Sequence, residues 1–398
     1  MSWIVTGFAL FVCLVWAVFM LLPARLRGHW MLLASLCYFA LEGWRSLLLV
    51  AAMLLWVWLL GLLVGRGRPR LGVGLGVAGL LAILAVGKYS QWLLGMSGSL
   101  AATLGLQEFS SPQWLAPLGL SYFVFRMISY LADVSYGRIQ TAGPLRLAGY
   151  VLFFPTLPAG PIERFGAFDP QAVAGARPTF DDLRVGLGRV AAGLFKKLVL
   201  ADTFWELGRA LKYADETPTA LLWLALYAYT LHIYFDFSGY SDMAIGIARL
   251  FGIRIRENFD WPYARTNIAD FWRHWHMSLT AFITEYIYYP LGGNRSGQLR
   301  AGINTLIAMG LCGMWHGSGW HFLAWGLYHG AGLTIYRLWR NLRKQHGLYR
   351  PQSTWRKYAS WLLTLNFVAL GWVMFLLPFK EALSAYLALL GIQGVQFR

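Results

Sequence analysis

Apolar runs of bilayer-crossing length recur along this chain from one end to the other, and they constrain its fold more than any other feature. Residues 4–22, 47–64, 221–237 and 360–377 are the clearest, with shorter runs between them. One helical crossing needs ~20 apolar residues, so 398 residues allow about ten to twelve helices with short loops. The expected class is all-α: a polytopic membrane protein forming one membrane-embedded domain over residues 1–398. Composition agrees. The chain is 58% hydrophobic and 13% charged, against about 45–50% and 25% in soluble chains, and its twenty tryptophans favour membrane interfaces.

A net charge of +16 invites a nucleic-acid reading, but the pattern opposes it. The basic residues are spread over short loops, as orientation signals are, and no basic stripe interleaved with aromatics occurs in a soluble segment. Nucleic acid is therefore excluded as a partner, whereas a lipid bilayer with anionic headgroups suits basic loops. The positive-inside rule places Arg25 and Arg27 with Arg66, Arg68 and Arg70 on the cytoplasmic side. Residues 337–357, with seven basic and no acidic side chains, form the strongest cytoplasmic loop. Residues 1–22 read as a retained first helix, since no basic segment precedes the apolar run and no small-x-small cleavage site follows it.

Several segments carry more specific expectations. Residues 30–41 are too short to span alone and suggest a hairpin or re-entrant pair. Residues 71–86 and 90–106 read as two separate runs, the first rich in glycine and suited to close helix contact; residues 107–113 read as a polar loop. Three prolines and Gly160 fall within 155–161 of YVLFFPTLPAGPIERF (150–165), which cannot continue a helix. Such backbone survives at membrane depth only when buried in protein or lining a cavity. Lys196 and Lys197 read as an interfacial anchor.

Five of the eight histidines lie between Asn267 and Gly330: His274, His276, His316, His321 and His329. An ionisable residue in so apolar a setting is by default a functional hypothesis, and imidazole is suited to moving a proton near neutrality. On one continuous helix, Trp272, Trp275 and His276 share a face, with His274 nearly opposite. That spacing aims His276 into an aromatic interior and His274, beside Arg273, at an interface or polar partner. His316 sits in MWHGSGW, where flanking glycines let backbone or substrate approach closely. His329 is about 220° around an ideal helix from His316, so one straight helix could not aim both into one pocket.

Other chemistries lack their signatures. There is no HExxH, no histidine pair at i, i+4 with a nearby carboxylate and no cysteine cluster, so no metal site is expected. Cys312 reads as a small buried hydrophobe. No GxSxG elbow or Walker loop occurs.

RHWHMSLTAFITEYIYYPLGGNR followed by GMWHGSGWHFLAWGLYHG resembles the membrane-bound O-acyltransferases. FFPTLPAGPIERF and YFDFSGYSDMAIG are similar to two further blocks of its bacterial branch, which contains the alginate O-acetyltransferase membrane subunit and the teichoic-acid D-alanyl transferase. Together the blocks cover residues 120–335. The resemblance implies a ring of tilted helices, with short re-entrant or interfacial ones, around a central tunnel. It assigns the family histidine to His316, as general base, and the histidine of the RWHxS block to His276. Trp315, Trp275 or His276 would supply an oxyanion donor, and Trp272, Asp236, Ser238 and Tyr240 would line the tunnel. No bound cofactor is implied. The donor would be a thioester, either a phosphopantetheine carrier protein or acetyl-CoA at the cytoplasmic face. The acceptor would be a polymer outside, reached with a periplasmic or extracellular accessory acyltransferase, from the bacterial inner membrane. PLGGNR and FSGYSDMAIG resemble the acetyl side and FFPTLPAGPIERF the D-alanyl side, leaving the acyl group open. A transporter or flippase for an envelope precursor, or a non-catalytic scaffold, would show similar intramembrane polar residues.

Overall fold

A computed structural model describes residues 2–103, 117, 119–295, 297–348 and 353–395. The polar loop expected at 107–113 and the tip of the basic segment, 349–352, fall outside them. Regular structure among the described residues is entirely helical: sixteen α-helices linked by short 3-10 and π turns. Four are long and apolar enough to cross a membrane: Trp44–Gly65, Pro69–Ser90, Thr219–Leu250 and Thr354–Leu376. The chain divides into two compact units, Met1–Gly193 with Tyr240–Arg256, and Leu194–Gly239 with Glu257–Arg398.

The first unit begins with α1 (Ser2–Leu21), α2 (Ala24–Ala40), α3 (Trp44–Gly65) and α4 (Pro69–Thr103). The runs expected as two at 71–86 and 90–106 are joined, over their described residues, in one 35-residue helix, α4. Their polar link, Gly87-Lys88-Tyr89-Ser90-Gln91, holds no proline and so nothing that forces a helix to stop. Then come α5 (Leu120–Ser135), α6 (Pro144–Val151), α7 (Phe165–Ala174) and α8 (Phe180–Phe195). The proline-broken block lies between α6 and α7, and buried side chains satisfy its backbone. Arg126 of α5, 1% exposed, donates to the carbonyls of Tyr150 and Val151 at 3.1 and 3.0 Å and to the Thr156 hydroxyl. The Phe154 N–H donates to Ser35 Oγ at 3.1 Å. Glu163 accepts from the N–H and Nε of Arg256 at 2.7 and 3.0 Å. Hydrogen bonds to charged groups are worth about 1.5–3 kcal/mol each, enough to hold this backbone where prolines have removed its own ladder.

The second unit contains α9 (Asp202–Gly208), α11 (Ile268–His274), α12 (Met277–Ile283), α13 (Gly297–His316), α14 (Trp320–Gln345), α15 (Thr354–Leu376) and α16 (Phe379–Leu389). Residues 219–239 of α10 (Thr219–Leu250) also belong to it. Helices α13 and α14 form a hairpin whose backbones nearly touch. A Cβ on Gly313 would lie 2.1 Å from the Phe322 carbonyl, and one on Gly326 would lie 2.2 Å from that of Met309. Small residues at such crossings let dispersion and packing join helices where lipid offers no hydrophobic drive. Much of the basic segment expected as a loop is helical: Arg337–Lys344 end α14, and Arg356 and Lys357 begin α15. Cations at the end of α14 also complement its dipole.

Candidate active site

The stretch from Asn267 to His276 is not one helix. Asn267 caps α11 by accepting the Asp270 N–H at 2.9 Å, the helix ends at His274, and Trp275 is extended. His276 then takes a left-handed conformation, φ 42°, before α12 begins. Among the described residues only Trp261 shares a positive φ without being glycine. Such a conformation costs of order 1–3 kcal/mol and persists where surrounding contacts hold it, often at functional sites. The i, i+3, i+4 face is therefore not what buries Trp272, Trp275 and His276, although all three are 5% exposed or less; the break between the helices turns them inward. His274, on the other side, donates from Nδ1 to the Asp270 carbonyl, 2.7 Å away, and lies 3.6 Å from the Asp260 carboxylate.

Asn258 fixes the His276 ring. Its Oδ1 faces His276 Nδ1 at 3.1 Å, the Ser278 N–H at 3.2 Å and the Ser278 hydroxyl at 2.8 Å. A backbone N–H can only donate, so the oxygen must point this way, and Nδ1 must carry the proton. Nε2 is left as a bare acceptor, buried and without a hydrogen-bond partner among the described residues. With this tautomer a neutral His276 presents an acceptor, not a donor, at Nε2.

His316 is the last residue of α13. Its ring meets Trp325 at 5.2 Å, nearly perpendicular, Phe375 at 5.0 Å and Trp315 at 4.7 Å. Trp315 also lies 6.3 Å from His276, so one indole packs against both imidazoles. Gly317 makes room for protein here: a Cβ would fall 1.9 Å from the Phe322 ring. His276 is covered by Phe237 at 4.6 Å, edge to face. The turn after His316 puts His329 on a separate helix, α14, so the single-helix angle does not apply. Trp325 packs against both His316 and His329. His329 is fully buried and its Nδ1 accepts the Trp272 indole N–H at 3.4 Å.

The remaining expected residues divide. Trp275 packs on Phe259, Phe271 and Trp372. Asp236 is paired with Lys197, so that lysine has an intramolecular partner. Ser238 is buried with no partner for its hydroxyl among the described residues. Tyr240 belongs to the first unit, where its hydroxyl accepts the Ala159 N–H at 3.4 Å. Cys312 is buried. Among the described residues no three His, Cys, Asp or Glu side chains are grouped to hold a metal. Asn258, Phe237, Trp325 and Phe375 were not foreseen; Phe237 and Trp325 lie inside motif blocks but nothing singled them out there, and Asn258 and Phe375 lie outside every block.

The profile described as the membrane-bound O-acyltransferase family matches residues 83–377, a span that contains both histidines and the whole aromatic cage. The chain belongs to that family. It is an O-acyltransferase and a multi-pass membrane protein. It is 35% identical over 376 residues to a probable alginate O-acetylase of Pseudomonas putida, covering 92% of this chain and 75% of that one. It is 32% identical over 401 residues to a peptidoglycan O-acetyltransferase of Helicobacter pylori, covering 92% and 74%. To a teichoic acid D-alanyltransferase of Bacillus subtilis it is 28% identical over 271 residues, covering 65% and 68%. In this acyltransferase the two motif histidines come together around Trp315, on elements joined by no regular sequence period.

Proposed function

We propose that this acyltransferase moves an acetyl group from a cytoplasmic thioester to hydroxyls of a polysaccharide outside the bacterial cytoplasmic membrane, with His316 as general base. The observation that carries the reading is the convergence of His316 and His276 on one buried indole, that of Trp315. The base takes the acceptor O–H proton as the oxygen attacks the thioester carbon. The tetrahedral oxyanion then collapses, expelling a thiolate that takes the proton back. A positioned base contributes about 10²–10⁴-fold against a weakly nucleophilic alcohol, and the surrounding rings limit water that would compete. His276, with a fixed acceptor nitrogen, orients the thioester arm or the acceptor hydroxyl. The indole N–H of Trp315 serves the oxyanion.

Acetyl is favoured over D-alanyl because the acetyl-transferring relatives align over 92% of the chain and the D-alanyl one over 65%. A groove in the second unit supports a phosphate-bearing donor such as acetyl-CoA or a phosphopantetheine carrier. Its apolar inner part, about 200 Å³, reaches Trp272. Its outer part, about 470 Å³, is lined by Arg273, Arg337 and Arg340. The two parts share Arg273, Thr284, Tyr288 and Arg337. A ring of about ten to twelve tilted helices around a tunnel, and an accessory acyltransferase outside that passes the group to the polymer, belong to the same proposal.

The test is donor consumption by purified protein in proteoliposomes, with acetyl and D-alanyl thioesters compared. The expected result is acceptor-dependent loss of label from the acetyl thioester at least about tenfold faster. Equal or reversed preference would overturn the acetyl assignment while leaving the acyltransferase chemistry standing.

A further inference from the structure

A second cavity, of about 380 Å³, lies in the first unit, lined from α2, α6 and α7 and the end of α1. Its floor is aromatic, with Phe19, Phe153 and Phe168, and Met31 and Leu32 continue the apolar wall. Its polar lining is mainly cationic. Arg25, Arg27 and Arg146 face one carboxylate, Asp169, leaving two positive charges in excess. Arg146 is paired with Asp169. Arg27 donates from Nε to the carbonyls of Phe19 and Leu22 and from Nη1 to that of Gly175, at 2.7–3.1 Å, which ties α1, α2 and α7 together. Arg25 is exposed and has no acidic partner among the described residues.

We propose that this cavity binds an anionic phospholipid, its phosphate at Arg25 and one acyl chain over Phe19, Phe153 and Phe168. The apolar floor offers a peptide nothing to satisfy its backbone groups, which are costly to bury unpaired. An acyl chain has none. The excess positive charge selects an anionic headgroup over a zwitterionic one. Gly149 lines the same cavity, and a Cβ there would meet nothing within 4 Å, so this position offers a place from which a larger side chain can compete for the lipid's space.

The experiment is thermal unfolding of the purified full chain in neutral detergent, with phosphatidylglycerol, phosphatidylcholine or inorganic phosphate added. Phosphatidylglycerol is expected to raise the midpoint by about 3–5 °C, phosphatidylcholine by less than half as much, and inorganic phosphate not at all. Arg25→Ala halves the phosphatidylglycerol shift and Gly149→Trp abolishes it, with both variants unchanged in detergent alone. Equal shifts from the two lipids, a shift from inorganic phosphate, or a full shift in Gly149→Trp overturns the proposal. If Gly149→Trp unfolds early in detergent, Gly149→Leu is measured instead by native mass spectrometry. Retained phosphatidylglycerol should then fall at least threefold, and undiminished retention overturns the proposal equally.

Discussion

Asn258 Oδ1 lies 3.1 Å from His276 Nδ1 and, by accepting from the Ser278 backbone as well, fixes which ring nitrogen holds the proton. Replacing Asn258 by alanine strips three donors of their acceptor. The expected cost is about 1–3 kcal/mol of stability. Turnover should fall about tenfold to a hundredfold as the ring loses its orientation, at roughly 1.4 kcal/mol per tenfold. Denaturation in detergent and single-turnover transfer, measured on the same preparation, check this. Transfer within twofold of wild type would show that Asn258 does not position the ring.

His329 differs from His276 and His316. Its Nδ1 takes the Trp272 N–H, and its Nε2 faces Gly371, where a Cβ would fall 2.8 Å away. Its place is in the packing rather than the chemistry. His329→Gln is expected to cost about 1 kcal/mol and keep turnover within about fivefold. A loss as deep as that of a His316 variant would move His329 into the reaction.

The α13–α14 hairpin sets where His316 meets Trp325, and Gly326 has no room for a side chain. Gly326→Leu forces the helices apart, an overpacking cost of about 1–3 kcal/mol or more, and should abolish transfer through displacement of His316. Folded yield and activity are both expected to fall. A fully active, well-folded variant would mean that the close crossing is dispensable.

An acid response is expected in part from Asp182, which lies outside the four described helices long and apolar enough to cross a membrane. Burial pushes its carboxyl up, but the hydroxyl and N–H of Thr179 and the Arg254 guanidinium together hold it down to about 2. The unfolded value is about 3.9. A depressed folded value stabilises above about pH 4, and the contribution fades as pH falls from about 4 to 2. Allowing for screening by nearby water, it amounts to about 1–2 kcal/mol. Asp182→Asn should lower stability at pH 7 and flatten the decline below pH 4. Parallel curves for the two proteins would remove Asp182 from the acid response.

Much of this was legible in the residues. Continuous apolar runs fix an all-helical membrane protein because hydrocarbon leaves the backbone few alternatives, and His316 stands out between glycines in an apolar stretch. The aromatic surroundings of His276 were foreseen, but by the wrong geometry. A helical period was assumed through Trp275–His276, where the chain breaks and turns left-handed, and sequence period carries no mark of such a turn. Asn258 was invisible because it approaches His276 from a loop eighteen residues upstream with no repeat to announce it. Two apolar runs merged into α4 because a polar linker without proline does not end a helix. The pairing of Asp236 with Lys197 was not legible either, since packing between α10 and the turn before α9 sets it.

The most direct measurement is acyl transfer from a labelled thioester by His316→Ala, purified, shown folded by its unfolding midpoint, and assayed beside wild type in the same vesicles. The account predicts a midpoint within a few degrees of wild type and a rate lower by at least about a hundredfold. A folded His316→Ala protein that still consumes thioester at near the wild-type rate would contradict it.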